Sequence, residues 1–156
     1  MKFSAQEEYG LRCLLVLARS GVALTIPEIS RREGMSQTHV AKLLMVLRKE
    51  GFVRASRGQV GGYVLARPAG EIEIRFVLAR LGGSLYDGDF CTRYGGANDL
   101  CTHAVDCSVR SLWQKMQYAV DSVLSGLTLA DLIGTPDAVA TNVTFHHSVP
   151  SKETAQ

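Results

Sequence analysis

The feature that most constrains the fold is a series of three short amphipathic helices near the N-terminus, each with recognisable capping residues. Residues 4–20 carry leucines at helical spacing, which predicts the first helix. Thr25 and Glu28 have the spacing of a capping box, so a second helix is expected to begin there. It ends near Gly34, and Ser36 is placed to cap a third helix whose leucines share one face. Two helices joined by a short glycine-containing turn predict a helix-turn-helix.

After Gly51 the hydrophobic pattern changes to that of short β-strands. Residues 52–56 and 63–66 are typical of strands, and three glycines lie among the six residues that separate them. A helix-turn-helix followed by such a hairpin is a winged helix. The predicted fold class is therefore mainly α with a small β-wing. The winged helix-turn-helix domain is expected to span residues 1–82, with its last helix at 71–82.

A long helix is predicted further along the chain, at residues 107–127. Its apolar residues recur at three- and four-residue steps, so they form a stripe along one face. Such a stripe on so long a helix is most simply covered by the same helix of a second copy, and packing against its own domain is the alternative. The stripe is formed by Trp113, Met116, Val120, Val123 and Leu127.

The remaining segments complete the predicted organisation. Glycines, aspartates and cysteines interrupt any hydrophobic period between the winged helix and the long helix, so no regular structure is expected there. The polar, aperiodic C-terminal segment is expected to be disordered. The regions after the winged helix are a cysteine-rich loop at 83–107, a dimerisation helix with a short C-terminal helix at 108–133, and the tail at 134–156.

Charged residues are distributed unevenly along the chain, whose formal net charge is +2. Residues 1–67 contain 11 lysines and arginines against 5 acidic residues, whereas residues 68–156 contain 6 against 10. A basic first half is what a phosphate-facing surface requires, and the acidic second half argues against nucleic acid coating the whole chain. The alternative is a chance imbalance on a solvated surface.

The third predicted helix has the features of a DNA-reading helix. In a helix-turn-helix the N-terminal part of this helix meets base edges in the major groove of double-stranded DNA. Gln37 is suited to adenine, and Lys42 to guanine or phosphate. Arg57, at the base of the hairpin, is suited to the negative potential of the minor groove. For each candidate an ordinary solvated position is the alternative. The candidate DNA contacts are Gln37, Thr38, His39, Lys42, Lys49, Arg57 and Gln59.

No sequence feature indicates a membrane span or an export signal. The longest unbroken apolar run covers residues 13–18, far short of the roughly 20 residues that a membrane span requires. The N-terminal residues lack the apolar stretch of a signal peptide. We therefore expect a cytoplasmic protein without a membrane partner, whose cysteines are not paired as disulfides.

The chain has four cysteines, three of them in or at the edge of the glycine-rich loop. Cys13 lies at the margin of the first helix's apolar face and is expected to be a core residue. Cys91, Cys101 and Cys107 have the spacing C-x9-C-x5-C, which lacks the C-x2-C pair of the usual zinc sites. Three thiols in a pliable loop suit an iron–sulfur cluster, with zinc binding or free, redox-active thiols as the alternatives.

Several runs of this sequence resemble the IscR/NsrR/RirA family of dimeric winged-helix transcription regulators of bacteria. They are residues 1–12, Ile-Pro-Glu-Ile-Ser at 26–30, Leu-Arg-Lys-Glu-Gly-Phe-Val at 47–53 and the wing at 57–68, and the resemblance extends over roughly residues 1–133. It implies a homodimer joined by the long helix. It also implies a 2Fe–2S or 4Fe–4S cluster in each cysteine loop, whose state sets the affinity for promoter DNA.

The resemblance also assigns cluster ligands. The three thiolate ligands are Cys91, Cys101 and Cys107. In some members an acidic residue near the start of the partner's first helix completes the site, and Glu8 occupies that position here. His103, inside the loop, is the competing fourth ligand. Arg110 stands where the iron–sulfur-biogenesis member has a histidine ligand, and the first cysteine gap is longer than is common in the family, so the cluster type stays open.

The predicted function is that of a dimeric, DNA-binding transcriptional regulator, by default a repressor. Its cluster is expected to sense redox state, nitric oxide, or iron and cluster supply. The alternative is a cluster-free winged-helix regulator that uses Cys91, Cys101 and Cys107 as a thiol redox switch or a zinc site. An enzyme is not expected, because no Ser/His/Asp ordering, glycine-rich phosphate loop or pair of carboxylates stands out.

Overall fold

The computed structural model describes residues 4–58, 61–84, 86–87, 89–93 and 106–134 of the 156-residue chain. Helices dominate these ranges, and two short strands form an antiparallel sheet. In chain order the elements are α1 (Ala5–Ser20), α2 (Ile26–Glu33), α3 (Gln37–Lys49), β1 (Val53–Ser56), β2 (Gly62–Leu65), a 3₁₀ turn (Ala69–Glu71), α4 (Ile74–Leu81), α5 (Phe90–Arg93), α6 (Ser108–Leu124) and α7 (Leu129–Ile133). This architecture confirms the predicted fold class.

Capping residues begin and end the helices of the helix-turn-helix where the sequence predicts. The hydroxyl of Thr25 accepts a hydrogen bond from the Glu28 amide, and the Glu28 carboxylate accepts one from the Thr25 amide at 2.7 Å, so α2 begins with a complete capping box. Ser36 caps α3 by accepting a hydrogen bond from the His39 amide. Gly34 ends α2 at a φ of 66°, a left-handed conformation that glycine adopts without strain.

The core lies between α1, α2, α3, α4 and the first wing strand, each of which contributes buried apolar side chains. The end of the described chain returns to this core. The Leu129 amide donates to the Ile72 carbonyl at 2.8 Å, and the Ile74 amide donates to the Leu127 carbonyl at 2.9 Å. Leu129 is completely buried. The short C-terminal helix, predicted to accompany the dimerisation helix, therefore packs within the winged-helix core.

The wing is attached to the helical body by its second strand. β1 and β2 pair antiparallel, and Tyr63 also pairs with Leu24 through backbone hydrogen bonds of 2.8 and 3.0 Å. Gly62 is required at this junction, because an added Cβ would lie 2.6 Å from the Leu24 carbonyl oxygen. The hairpin tip at 59–60, which includes the candidate Gln59, lies outside the described residues.

The fourth helix begins later than the sequence predicts. Instead of a helix from residue 71, Ala69–Glu71 form a 3₁₀ turn, and Glu73 then makes an isolated β-bridge with Thr128. α4 starts only at Ile74. The bridge is the reason for the difference, because it holds the backbone at Glu73 extended for a partner that lies far along the chain.

The segment after α4 differs from the prediction in two further places. α5 is a single helical turn within a loop predicted to lack regular structure, and a two-point ion pair of Arg93 with Asp87, both N–O distances 3.0 Å, holds it. α6 ends at Leu124, three residues earlier than predicted, because the chain turns at Gly126 with a φ of 75°. Leu127 is therefore not on the long helix, and it packs against the core of its own chain.

Two regions predicted from the sequence lie largely outside the residues that the structure describes. They are residues 94–105 of the cysteine-rich loop and residues 135–156 of the tail. In the ranges that are described, no helix combines the length and the apolar character needed to cross a membrane.

Candidate DNA-binding surface and cysteine site

Helix α3 separates its residues between the core and one solvent-facing side. Its buried residues are Val40, Leu43, Leu44 and Leu47. Its exposed predicted contacts are Gln37, Thr38, Lys42 and Lys49, with the half-buried His39 beside them. We refer to these five residues as the DNA-reading face. Because the apolar residues lie on the opposite side of α3, this face can enter a DNA groove without disturbing the core.

A cavity of about 360 Å³ lies beside the N-terminal half of α3. Thr38, His39 and Lys42 line it from α3, and Gln6 lines it from α1. The Gln6 side-chain amide donates to the Leu81 carbonyl at 2.9 Å, which holds Gln6 against the end of α4. Gln6 is absent from the sequence-predicted contacts, because only the packing of α1 brings it beside the DNA-reading face.

The wing carries three exposed arginines. Arg57, the predicted minor-groove residue, is exposed directly after β1. Arg54 and Arg67 are also exposed, and the Arg67 guanidinium lies 5.9 Å from the centre of the Phe52 ring. Arg54 is not among the predicted contacts, although strand alternation signals its exposure, since it follows the buried Val53. The wing thus has the positive charge that contact with a phosphate backbone requires.

Contacts of α1 connect its N-terminal half to the helix-turn-helix. The Tyr9 and His39 rings meet edge to face, with centroids 5.2 Å apart and an interplanar angle of 83°. Arg12 donates to the Glu33 carboxylate at 2.8 Å and to the Glu33 carbonyl at 2.7 Å, at the end of α2. The hydrogen bond with Glu33 raises the pKa of Arg12 above its ordinary value. Glu8, the predicted fourth ligand, is exposed on α1 directly before Tyr9.

Cys91 and Cys107 are half-buried free thiols, one within a helix and one directly before the next helix. Cys91 lies in α5. Cys107 is the N-cap of α6, where its sulfur accepts a hydrogen bond from the Arg110 amide at 3.3 Å. The Tyr86 amide, a few residues before α5, donates to the Gln117 side-chain oxygen at 3.2 Å, which ties the segment that leads into α5 to α6, the helix that Cys107 caps.

The donor set of this neighbourhood suits a soft metal centre. Thiolate sulfur is the ligand that iron–sulfur clusters use, and Cys91 and Cys107 supply two such ligands. Cys101 and His103 lie outside the described residues. Within the described ranges, no three histidine, cysteine or acidic side chains come together as a metal site, so Glu8 does not join the two cysteines of its own chain. The resemblance assigns Glu8 to the partner's cluster, for which this separation is expected.

Cys13 is the remaining cysteine, and it is completely buried in α1. Burial raises the pKa of its thiol to about 12. A thiol that stays protonated inside an apolar core acts as a packing residue rather than as a ligand. The sequence prediction for Cys13 is therefore confirmed.

Comparison with known proteins identifies the family of this fold. The family model Rrf2, described as an iron-dependent transcriptional regulator, matches residues 3–135. The chain belongs to the Rrf2 family. This result confirms the family resemblance inferred from the sequence. Rrf2 proteins are transcriptional regulators rather than enzymes, so the chain is a DNA-binding transcriptional regulator.

Individual Rrf2 relatives are similar over most of their length. Protein rrf2 of Nitratidesulfovibrio vulgaris is 32% identical over 135 residues, which cover 85% of this chain and 87% of that protein. Among solved structures, T. potens IscR is 30% identical, with a TM-score of 0.67 and coverage of 93% of both chains. Staphylococcus aureus CymR in its oxidized form is 27% identical, with a TM-score of 0.65 and coverage of 86% of this chain and 98% of that one.

In this Rrf2 chain, α6 presents apolar residues to solvent. Successive residues of an α-helix are turned by about 100° around its axis. On this basis, the residues of α6 that lie on or beside the predicted stripe form two adjacent sides, one exposed and one half-buried. The exposed side, which we call the α6 apolar face, consists of Val109, Leu112, Met116 and Val123. The half-buried side consists of Trp113, Gln117, Val120 and Leu124. The sequence stripe includes Met116 and Val123 but misses Val109 and Leu112, because the spacing alone does not reveal which side faces α4.

Proposed function

We propose that this Rrf2 protein is a homodimeric repressor whose iron–sulfur cluster sets its affinity for promoter DNA. The observation that carries the proposal is the pair of half-buried thiols, Cys91 and Cys107, where α5 is followed by the N-terminus of α6. Cys101 supplies the third thiolate. Glu8 of the partner subunit is the fourth ligand, and His103 is the competing candidate for that position.

The ligand set is suited to a sensor. Thiolates are soft donors that hold iron firmly, whereas a carboxylate is harder and exchanges more readily. A 2Fe–2S or 4Fe–4S cluster with this ligand set supplies one iron that is open to oxidants, nitric oxide or ligand exchange. A purely structural cluster is expected to have four thiolates instead.

DNA binding is assigned to the DNA-reading face and the wing. Gln37, Thr38 and His39 lie in the first turn of α3, the part of a recognition helix that meets base edges. Lys42 and the arginines of the wing supply positive charge for bases or phosphates. A dimer bound at a promoter blocks access to it, so repression is the default outcome.

Helix α1 provides the route from the cluster to the DNA. Glu8 precedes Tyr9, whose ring contacts His39 at the start of α3, and Arg12 one turn later binds Glu33 at the end of α2. A change in the ligation of Glu8 therefore acts on a helix that contacts both helices of the helix-turn-helix. In the dimer, α1 then has one position relative to the partner's cysteine loop when Glu8 is a ligand and another when it is not. Each position sets a different spacing between the two DNA-reading faces of the dimer.

Anaerobic purification with iron and sulfide analysis tests the cluster. We expect a brown protein with visible absorption, and we expect nitric oxide or oxidation to change both this absorption and the affinity for promoter DNA. Cys91→Ser and Cys107→Ser should lose iron and sulfide, while Cys13→Ala should keep them because Cys13 is a core residue. A colourless parent protein, or clusters retained by both serine variants, contradicts the assignment.

A cluster-free regulator is the second candidate. Its specific support is the similarity to Staphylococcus aureus CymR, one structure of which is of an oxidized form. In this case Cys91, Cys101 and Cys107 form a thiol redox switch or a zinc site. The same anaerobic sample separates the candidates. Zinc without sulfide indicates a zinc site, and a metal-free protein with reversibly oxidised thiols indicates a switch.

A further inference from the structure

Gln6 lies on α1 beside the DNA-reading face, and its side chain is anchored there by a distant part of the chain. The side-chain nitrogen donates to the Leu81 carbonyl at 2.9 Å, although 75 residues separate the two in sequence. This hydrogen bond uses one of the two N–H groups of the carboxamide. Gln6 is exposed, so its second N–H is open to an acceptor that arrives from solvent. Because the bond to Leu81 fixes the carboxamide, binding such an acceptor costs little side-chain freedom.

The cavity that Gln6 shares with α3 has the character of an anion site. Thr38, His39 and Lys42 contribute a hydroxyl, an imidazole and an ammonium group to its lining. Among the described residues that line it, none is acidic. Glu7, the next residue along α1, accepts a hydrogen bond from the N-cap amide of its own helix at 2.7 Å. The cavity therefore suits a negatively charged hydrogen-bond acceptor.

We propose that Gln6 donates its second N–H to a backbone phosphate of the operator and that this contact positions α3 in the major groove. The inference rests on the assignment of DNA binding to the DNA-reading face. When α3 enters the groove, its first turn meets the base edges, whereas elements packed beside it meet the phosphates that wall the groove. Gln6 lies on such an element. Glutamine is among the residues that bind phosphates, and these contacts fix the register of a protein on DNA without reading its sequence.

Replacement of Gln6 by methionine keeps the length of the side chain and removes both N–H donors. The measurement is fluorescence anisotropy of the full-length protein with a promoter duplex that the parent binds and with a duplex of scrambled sequence. Gln6→Met should weaken binding to both duplexes by a similar factor, roughly tenfold for a hydrogen bond to a charged group. Gln114→Met is the matched control. Gln114 is exposed on α6, on the side away from the α6 apolar face, so this variant should bind like the parent.

Promoter duplexes in which one phosphate at a time is a neutral methylphosphonate separate a direct contact from a structural role of Gln6. For a direct contact, one such replacement in each half-site should weaken binding by the parent. At that position Gln6→Met should cause a much smaller further loss than it causes elsewhere. Equal losses for Gln6→Met at every position would overturn the inference, because that pattern indicates that only the hydrogen bond to Leu81 matters.

Lys42→Ala distinguishes a failure of this inference from a failure of the DNA-reading face. If Gln6→Met binds like the parent while Lys42→Ala binds more weakly, the phosphate contact is excluded and the DNA-reading face stands. A loss for Gln6→Met that is confined to the promoter duplex would also exclude the phosphate contact, because that pattern indicates that Gln6 reads a base. If both variants bind like the parent, the phosphate contact and the DNA-reading face are both wrong.

Discussion

Glu8 and His103 compete for the fourth ligand position, and each side chain can be removed alone. Glu8 is exposed on α1, and within the described ranges it does not join Cys91 and Cys107 of its own chain in a metal site. If Glu8 ligates iron across the dimer, Glu8→Ala should change the visible spectrum and weaken cluster retention. Removal of a residue that only hydrogen-bonds to a metal ligand typically lowers metal affinity by roughly 10- to 100-fold. Removal of a ligand itself should weaken cluster retention by at least as much. The measurement is the spectrum and the cluster lifetime after dilution into aerated buffer.

The competing variant and a control make this result specific. Glu71→Ala removes an exposed carboxylate from the 3₁₀ turn and should change neither the spectrum nor the lifetime. His103→Ala should also leave both unchanged. If His103→Ala alters the spectrum and Glu8→Ala does not, the fourth ligand comes from the loop, and coupling through α1 has to be abandoned.

At the scale of elements, the capping box of α2 makes a defined contribution to stability. Thr25→Ala removes the hydroxyl that accepts from the Glu28 amide, and such a change typically costs about 1 kcal/mol in the free energy of unfolding. Chemical denaturation at neutral pH measures this cost. Thr38→Ala, at an exposed position of α3, is the control and should change stability by less than about 0.5 kcal/mol.

The same capping box predicts how this cost depends on pH. Hydrogen bonds from the Thr25 side chain and backbone lower the pKa of Glu28 in the folded protein below its ordinary value. The contribution of Glu28 is therefore present above its unfolded pKa and is lost as the pH falls through the lowered pKa. Thr25→Ala should differ less from the parent in acid than at neutral pH. A difference that grows in acid would contradict this explanation.

Substitutions in α3 and in the wing should weaken DNA binding, whereas substitutions of exposed charges elsewhere in the chain should not. Lys42→Ala and Arg57→Ala should each weaken binding to a native promoter, by about 1–3 kcal/mol for a contact that reads bases. For a phosphate contact, the slope of log K against log salt should decrease in magnitude by about 1. Fluorescence anisotropy at several salt concentrations measures both quantities.

Lys115 provides a charge-matched control for these variants. It is exposed on α6, and Lys115→Ala removes the same charge from an element outside the helix-turn-helix and the wing. We expect its promoter affinity and salt slope to match those of the parent. If Lys42→Ala and Arg57→Ala bind as tightly as Lys115→Ala, the DNA contacts are assigned to the wrong surface.

At the scale of the whole molecule, the α6 apolar face predicts the dimer interface. Leu112 and Met116 are 52% and 37% exposed there, and large apolar side chains in a desolvated seam dominate association. Leu112→Glu would place a charge in that seam, so it should give monomers and abolish tight binding to an operator with two half-sites. Sedimentation equilibrium measures the oligomeric state.

The control for this charge lies on the same helix. Tyr118→Glu adds a charge on the opposite side of α6, at a residue that is 76% exposed, and should leave the dimer intact. A parent protein that sediments as a monomer, or a Leu112→Glu variant that remains dimeric, would exclude the α6 apolar face as the interface. Val120, which the sequence stripe includes, is half-buried in its own chain and is a weaker test of the same interface.

The dimer prediction also illustrates the limit of what the sequence supplies for the candidate site. Periodicity places Met116 and Val120 on one stripe, yet in the structure Met116 is exposed and Val120 is half-buried. Likewise, the spacing of Cys91 and Cys107 indicates a metal site without indicating that the Tyr86 amide binds Gln117 of α6, 31 residues away. The fourth ligand remains a prediction, because the loop residues Cys101 and His103 lie outside the described ranges.

The sequence by itself determined the features that depend on neighbouring residues. The starts of α2 and α3, the glycine that ends α2, the buried face of α3 and the hairpin follow from caps, turns and periodicity, in which each interaction spans only a few residues. Only the tertiary structure decided the late start of α4, the return of α7 to the core and the position of Gln6, whose partner Leu81 is 75 residues away. Such contacts join segments that are distant in the chain, so they depend on how whole elements pack, and no local pattern encodes them.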